Sequence, residues 1–156
     1  MALDLFLYRQ NEKPSDNLIV LVHGLGASNN TWVQDGVCWI KLFLTDDTFE
    51  NLDVAEITYD TSHLANGVLA LMGVKKIKIG LFGNFTVGKG PFTNIEILAR
   101  ELKREIDSKR IKQYKNVILM GHSMGGLVAI RYILEEFENN QPHNVKGMIS
   151  LATPYN

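Results

Sequence analysis

The sequence predicts an α/β fold, a three-layer α/β/α sandwich built on a mainly parallel sheet. Two observations predict it. Residues 18–22 (Leu-Ile-Val-Leu-Val) and 117–120 (Val-Ile-Leu-Met) are uninterrupted apolar runs, and 145–152 is a further apolar stretch; runs this short and continuous suit strands buried on both faces. Between them lie segments of helical periodicity, and such alternation calls for right-handed crossovers and helices on both faces of the sheet.

Taken in order, residues 3–8 form a candidate first strand, and 11–17 a polar, proline-bearing turn before the run 18–22. After the glycine-rich stretch Gly24 to Gly26, residues 31–44 set Trp32, Trp39, Ile40 and Phe43 at mostly helical spacing and read as the first crossover helix. Residues 54–59 alternate as a strand does. Residues 94–111 carry Ile95, Leu98, Leu102 and Ile106 on one face with charges opposite, and Asn94 is the expected N-cap. Strand 117–120, a helix from Met124 to about Glu138, and strand 145–152 complete the order.

The pattern breaks between Asp60 and Pro91. Here an apolar, glycine-punctuated insertion at about 61–91 mixes Leu69, Leu71, Met72, Ile77, Ile79, Leu81 and Phe82 with Lys75, Lys76 and Lys78. It reads as a packed excursion, with a substrate-covering lid as the sharper alternative. The whole chain, 1–156, is expected to form a single α/β domain.

Composition excludes several function classes. The chain is 46% hydrophobic and 21% charged, an ordinary globular balance. Its formal charge of -1 supplies no field for nucleic acid or an anionic membrane. Cys38 is the only cysteine, which excludes an internal disulfide and makes a cytoplasmic setting the default. No apolar run approaches the roughly 20 residues of a membrane span, and the first ten residues lack the pattern of a secretory signal. No His, Asp, Glu or Cys cluster has metal-ligand spacing, so no metal or cofactor is expected.

The chemistry concentrates in two glycine-bearing turns. Gly121-His122-Ser123-Met124-Gly125 follows one strand and opens a helix, the setting in which a tight turn exposes a serine hydroxyl above the sheet. Flanking side chains would collide there, so Gly121 and Gly125 are the residue types that fit. The N–H of Met124, in the first helical turn, points towards the place where an oxyanion would form. The bland reading makes Ser123 an ordinary N-cap. His23-Gly24-Leu25-Gly26, directly after strand 18–22, has the composition of a loop that completes an oxyanion hole.

Together with Thr31-Trp32 and Leu151-Ala152-Thr153-Pro154, these strings resemble the lipase and esterase branch of the α/β-hydrolases, notably its inositol-deacylase-like and serine-active-site lipase-like members. The resemblance implies an α/β-hydrolase fold and a serine hydrolase of carboxylic esters, with lipid or other hydrophobic acyl esters as substrates. By position, Ser123 matches the nucleophile, while Leu25 and Met124 match the residues whose backbone amides bind the oxyanion. His23 and His122 match motif positions without catalytic roles. One such donor is worth ~2.7 to 4 kcal/mol of transition-state stabilisation.

In that family the acid and then the histidine follow the nucleophile, after strands later than the Leu-Ala-Thr-Pro strand. Here only His143 follows Ser123 beyond its neighbour, and it lies before the last strand. His63 is a weak candidate base from the insertion; Asp60 reads as a turn cap. The triad acid and base are unassigned. The expectation is an N-terminal portion of the fold with little turnover by these 156 residues alone, and a strand 145–152 whose open edge invites self-association or a missing C-terminal segment. The alternative is a hydrolase-fold binding module or N-terminal effector domain without catalysis. A third class is weaker still: residues 83–89 (Gly-Asn-Phe-Thr-Val-Gly-Lys) fit the start of a P-loop, but Gly90 stands where Ser or Thr should hold magnesium.

Overall fold

A computed structural model describes residues 3–9, 12–24, 31–59, 91–140 and 142–155. The strands are β1 (Leu3–Tyr8), β2 (Asn17–Val22), β3 (Val33–Gln34), β4 (Val37–Cys38), β5 (Leu52–Tyr59), β6 (Asn116–His122) and β7 (Val145–Leu151). The helices are α1 (Trp39–Thr45), α2 (Pro91–Ile106), α3 (Lys109–Lys112) and α4 (Met124–Glu138), with a 3-10 turn at Asp47–Phe49.

Five strands form one sheet in the order β1-β5-β2-β6-β7. β5, β2, β6 and β7 run parallel, and β1 pairs antiparallel with β5, from Leu3↔Tyr59 to Tyr8↔Val54. Alternation along β2 divides the core: Leu18, Val20 and Val22 face α2 and α4, with Leu98, Leu102, Ile106, Val128 and Tyr132. Ile19 and Leu21 face the opposite side, with Trp32, Phe43 and Met120. Because both faces of β2 and β6 are covered, their sequence reads as continuous apolar runs, not as alternation.

α2 and α4 are also tied by an ion pair, Lys103 Nζ to Glu136 Oε2 at 2.8 Å, with the Glu136 carboxylate almost fully buried. α4 ends at an asparagine: Asn140 takes φ 48° and donates its N–H to the Phe137 carbonyl, a left-handed exit that Asn tolerates better than most residues.

Three sequence expectations are corrected. Residues 31–44 are not one helix; β3 and β4 form a hairpin and α1 begins only at Trp39. Asp35 and Gly36 take φ 52° and 79°, the left-handed pair that suits a two-residue hairpin turn. Asn94 is not an N-cap, because α2 starts at Pro91 and Asn94 lies within it; proline is well placed in a first helical turn, where its missing N–H costs no hydrogen bond. Nor does this helix reach 111. It stops at Ile106, and Ser108, extended at φ -65° and ψ 154°, precedes the separate turn α3. The remainder of the insertion, 61–90, lies outside the described residues, as does the P-loop-like run.

Candidate active site

The candidate site lies at the carboxyl edge of the parallel strands, where β2, β5, β6 and β7 end. β6 continues through His122, and Ser123 then takes φ 52° and ψ -124° before α4 begins at Met124. A positive φ at a residue with a Cβ costs roughly 1–3 kcal/mol and persists only where its surroundings enforce it. The enforcing contacts are present. Ser123 donates its N–H to the Leu151 carbonyl at 2.8 Å, extending the β6–β7 ladder by one residue, and its own carbonyl accepts from Gly126 N–H at 3.0 Å. Although Ser123 stands at the N-cap position, its hydroxyl makes no cap hydrogen bond, so the ordinary N-cap reading does not describe it.

The glycines around it are required by space. A Cβ on Gly125 would lie 2.1 Å from the Val22 carbonyl oxygen, and one on Gly121 would lie 2.5 Å from Gly126 Cα. Gly24, in the loop after β2, sits directly against the nucleophile candidate: a Cβ there would come within 2.8 Å of Ser123 Cβ. The two glycine-bearing turns, almost a hundred residues apart in sequence, are thus brought into contact. Met124 is the first residue of α4 and its side chain is fully buried. Its backbone N–H is among the first four of the helix, which no helical carbonyl accepts. Leu25 lies outside the described residues.

His23 is almost fully buried, and both ring nitrogens are engaged: Nδ1 lies 2.7 Å from the Gly24 carbonyl oxygen, and Nε2 accepts from Tyr59 N–H at 3.2 Å. Burial, more than any neighbour, holds its pKa below the usual histidine range. A ring with neither nitrogen free is no base for Ser123. His122 meets Trp32 in a T-shaped contact, centroids 6.4 Å apart, and its Nδ1 has no partner among the described residues. His143 precedes β7 and therefore stands at the opposite, amino edge of the sheet. His63 and Asp60 lie outside the described residues. No described imidazole is hydrogen-bonded to the Ser123 hydroxyl.

Two features of this edge escaped the sequence reading. Tyr59, the last residue of β5, stacks on His23 at a centroid distance of 4.2 Å and donates its hydroxyl to the His23 carbonyl; only its place at a strand's carboxyl end hinted at this. Ala152, just past β7, takes φ 49°. It follows Leu151, whose carbonyl holds Ser123, so two left-handed residues with side chains sit side by side. Thr153 is buried beside Gly126, where a Cβ would lie 1.9 Å from its Oγ1.

Residues 96–156 match the family model of lecithin:cholesterol acyltransferase, a segment that includes β6, Ser123, α4 and β7 but less than half of the chain. A comparison with curated proteins finds no match. Among solved structures, a lipase-esterase related protein from Clostridium acetobutylicum ATCC 824 is similar over 97% of this chain and 46% of its own, at 19% identity and a TM-score of 0.49. The lipase BlEst2 of Bacillus licheniformis in its propeptide form is similar over 97% of this chain and 26% of its own, at 20% identity and a TM-score of 0.45. The type II thioesterase of the yersiniabactin pathway is similar over 87% and 42%, at 12% identity and a TM-score of 0.48. The chain thus spans half or less of the length of these structures. Sheet order and the strand-to-helix turn define an α/β fold with a mainly parallel sheet, and the segment that carries the turn is similar to the lecithin:cholesterol acyltransferase family.

Proposed function

We propose that the protein is a serine hydrolase of carboxylic esters, with Ser123 as nucleophile and the backbone N–H groups of Leu25 and Met124 as oxyanion donors. The observation that carries this reading is the left-handed backbone of Ser123 at the turn between β6 and α4, packed by glycines at which an added Cβ would clash. Strain of this kind at a polar residue is retained where geometry serves chemistry. In the reaction, Ser123 Oγ bonds to the acyl carbon while the carbonyl electrons move to oxygen, where the two N–H groups receive them. Collapse expels the alcohol, which takes the serine proton through a base, and water then releases the acyl group. That base is unassigned, since no described histidine is hydrogen-bonded to Ser123. Lipid or other hydrophobic acyl esters are the proposed substrates, supported by the acyl-lipid chemistry in the name of the matched family.

A second reading, a hydrolase-fold module that binds without turnover, is favoured by one observation: no described imidazole is bonded to Ser123. One experiment separates the two. The full chain is exposed to p-nitrophenyl esters of increasing acyl length, and p-nitrophenolate release is followed beside Ser123→Ala. The proposal expects at least one equivalent released, faster with longer acyl chains, and none from the variant. Binding of the esters without release supports the module, and release that survives Ser123→Ala overturns Ser123 as nucleophile.

A further inference from the structure

The turn after β7 acts on both peptide groups that flank Ser123. The Leu151 carbonyl accepts the Ser123 N–H at 2.8 Å, which holds the group before the serine. The group after it is held through Gly126, whose N–H donates to the Ser123 carbonyl at 3.0 Å. Gly126 is itself gripped from two sides. A Cβ on Gly121 would lie 2.5 Å from the Gly126 α-carbon, and a Cβ on Gly126 would lie 1.9 Å from Thr153 Oγ1 and 2.8 Å from Thr153 Cβ and Cγ2. Thr153 is buried, and its hydroxyl has no hydrogen-bond partner among the described residues. What this side chain supplies to the elbow is therefore bulk. Between the two contacts Ala152 takes φ 49°, a conformation that lasts at an alanine only where its surroundings enforce it.

We infer that Thr153 is a positioning residue for the reaction proposed above: wedged against Gly126, it fixes the peptide group between Ser123 and Met124 and so aims the Met124 N–H. The inference rests on the serine-hydrolase reading for its catalytic meaning. A peptide unit is planar and normally trans, so a carbonyl fixed in direction fixes the N–H of the same unit in the opposite direction. The carbonyl here is that of Ser123, and the N–H is that of Met124, the proposed oxyanion donor at the start of α4. Without the wedge, Gly126 is free to draw back from Gly121, its bond to the Ser123 carbonyl loosens, and the donor turns with it. Such a donor acts only when aimed at the place where charge develops. Loosening of this kind therefore slows the reaction in a chain that stays folded.

A size swap tests this. Thr153→Gly removes the wedge, and acylation of the full chain by p-nitrophenyl esters should slow on the order of 100-fold, the scale of a misplaced donor. Gly126→Ala adds a methyl that collides with Thr153 and should slow acylation as well. In the double variant Thr153→Gly/Gly126→Ala the new methyl stands where Thr153 Oγ1 stood, and the rate should return to within about tenfold of wild type. Thr153→Val keeps the bulk and loses only an unpaired hydroxyl, so its rate should stay within about threefold of wild type. Rates are compared at a temperature where circular dichroism shows each variant folded, so that slowing reports geometry and not the folded fraction. Where a swap variant does not fold, Thr153→Ala, which keeps Cβ and loses both atoms beyond it, should slow acylation roughly tenfold. Independently, the Met124 amide signal in proton–nitrogen NMR should shift in Thr153→Ala and stay in place in Thr153→Val. A Thr153→Val as slow as Thr153→Ala, a folded double variant no faster than its slower parent, or a Met124 amide indifferent to Thr153→Ala overturns the inference. If wild type is never acylated the hydrolase reading fails, while the Met124 amide still decides whether Thr153 aims it.

Discussion

The two edges of the sheet both carry buried polar groups, but they use them differently. At the amino edge, Asp53 Oδ2 accepts from Tyr114 hydroxyl at 2.7 Å and Ser15 N–H at 3.1 Å, with Arg9 Nε 3.7 Å away. Asn144 donates to the carbonyls of Ile111 and Tyr114, and Asn116 to Asn17 Oδ1. These groups are paired and hold ordinary backbone angles; the exceptions on this side are the buried Ser108 Oγ, which has no described partner, and the left-handed Asn140 at the end of α4. At the carboxyl edge, Ser123 and Ala152 hold left-handed angles, Gly121 and Gly125 sit where a Cβ would strike backbone, and Trp32 Nε1, His122 Nδ1 and Thr153 Oγ1 are buried without described partners. A fold gains stability by satisfying polar groups and loses some by straining them. One edge therefore reads as an anchor and the other as the place where the molecule spends stability on geometry.

Substitutions can break or sharpen this contrast. The largest effect is expected at Gly125→Ala, whose Cβ would meet the Val22 carbonyl at 2.1 Å; backbone must move, and a loss of about 3 kcal/mol or more is expected in denaturant unfolding. Gly147→Ala, where nothing lies within 4 Å, is the control and should change stability by less than about 1 kcal/mol. Tyr114→Phe at the amino edge leaves the buried Asp53 one donor short and should cost about 1–3 kcal/mol without altering acylation of Ser123. At the carboxyl edge the sign reverses: Ser123→Gly relieves the left-handed strain and should raise stability by about 1 kcal/mol while abolishing acylation. A Ser123→Gly variant that loses stability would break the contrast.

The smallest effect concerns pH. Burial, opposed by the Gly24 carbonyl and reinforced by His122, keeps the folded pKa of His23 below its unfolded value. The unfolded chain then binds more protons in that window, so the stability due to His23 is complete above about pH 6.5 and is lost as pH falls towards the folded pKa. The difference in Tm between wild type and His23→Phe should shrink between pH 7 and pH 5. A difference that grows on acidification would mean that the buried ring is held in its charged form.

Much of the fold was legible because local pattern and tertiary context agree. The continuous apolar runs became β2 and β6, Met124–Glu138 became α4, and Ile95, Leu98, Leu102 and Ile106 are all buried on one face of α2. Where the reading failed, two local signals competed. Trp32, Trp39 and Phe43 are spaced as on a helix because all three pack towards one core, yet Asp35-Gly36 turns the chain between them. Ile111 continues the apolar period of α2 for the same reason, as it enters the same core from a separate turn. At the site, the motif glycines named the turn, and the structure shows the contacts that need them. The His23–Tyr59 contact joins residues 36 positions apart, and neither side chain announces the other. Ala152 gave no signal because its angle is imposed by β7 and the elbow, not by its own chemistry.

The central claim is that Ser123 is a nucleophile. Its most direct test is intact mass after prolonged exposure of the folded full chain to excess fluorophosphonate, beside Ser123→Ala under the same conditions. The account predicts one adduct per chain, mapped to Ser123, and none in the variant, whose Tm stays within about 2 °C of wild type because the substitution removes one hydroxyl with no hydrogen-bond partner among the described residues. No adduct on the folded wild type, or an adduct that persists in Ser123→Ala, would contradict it.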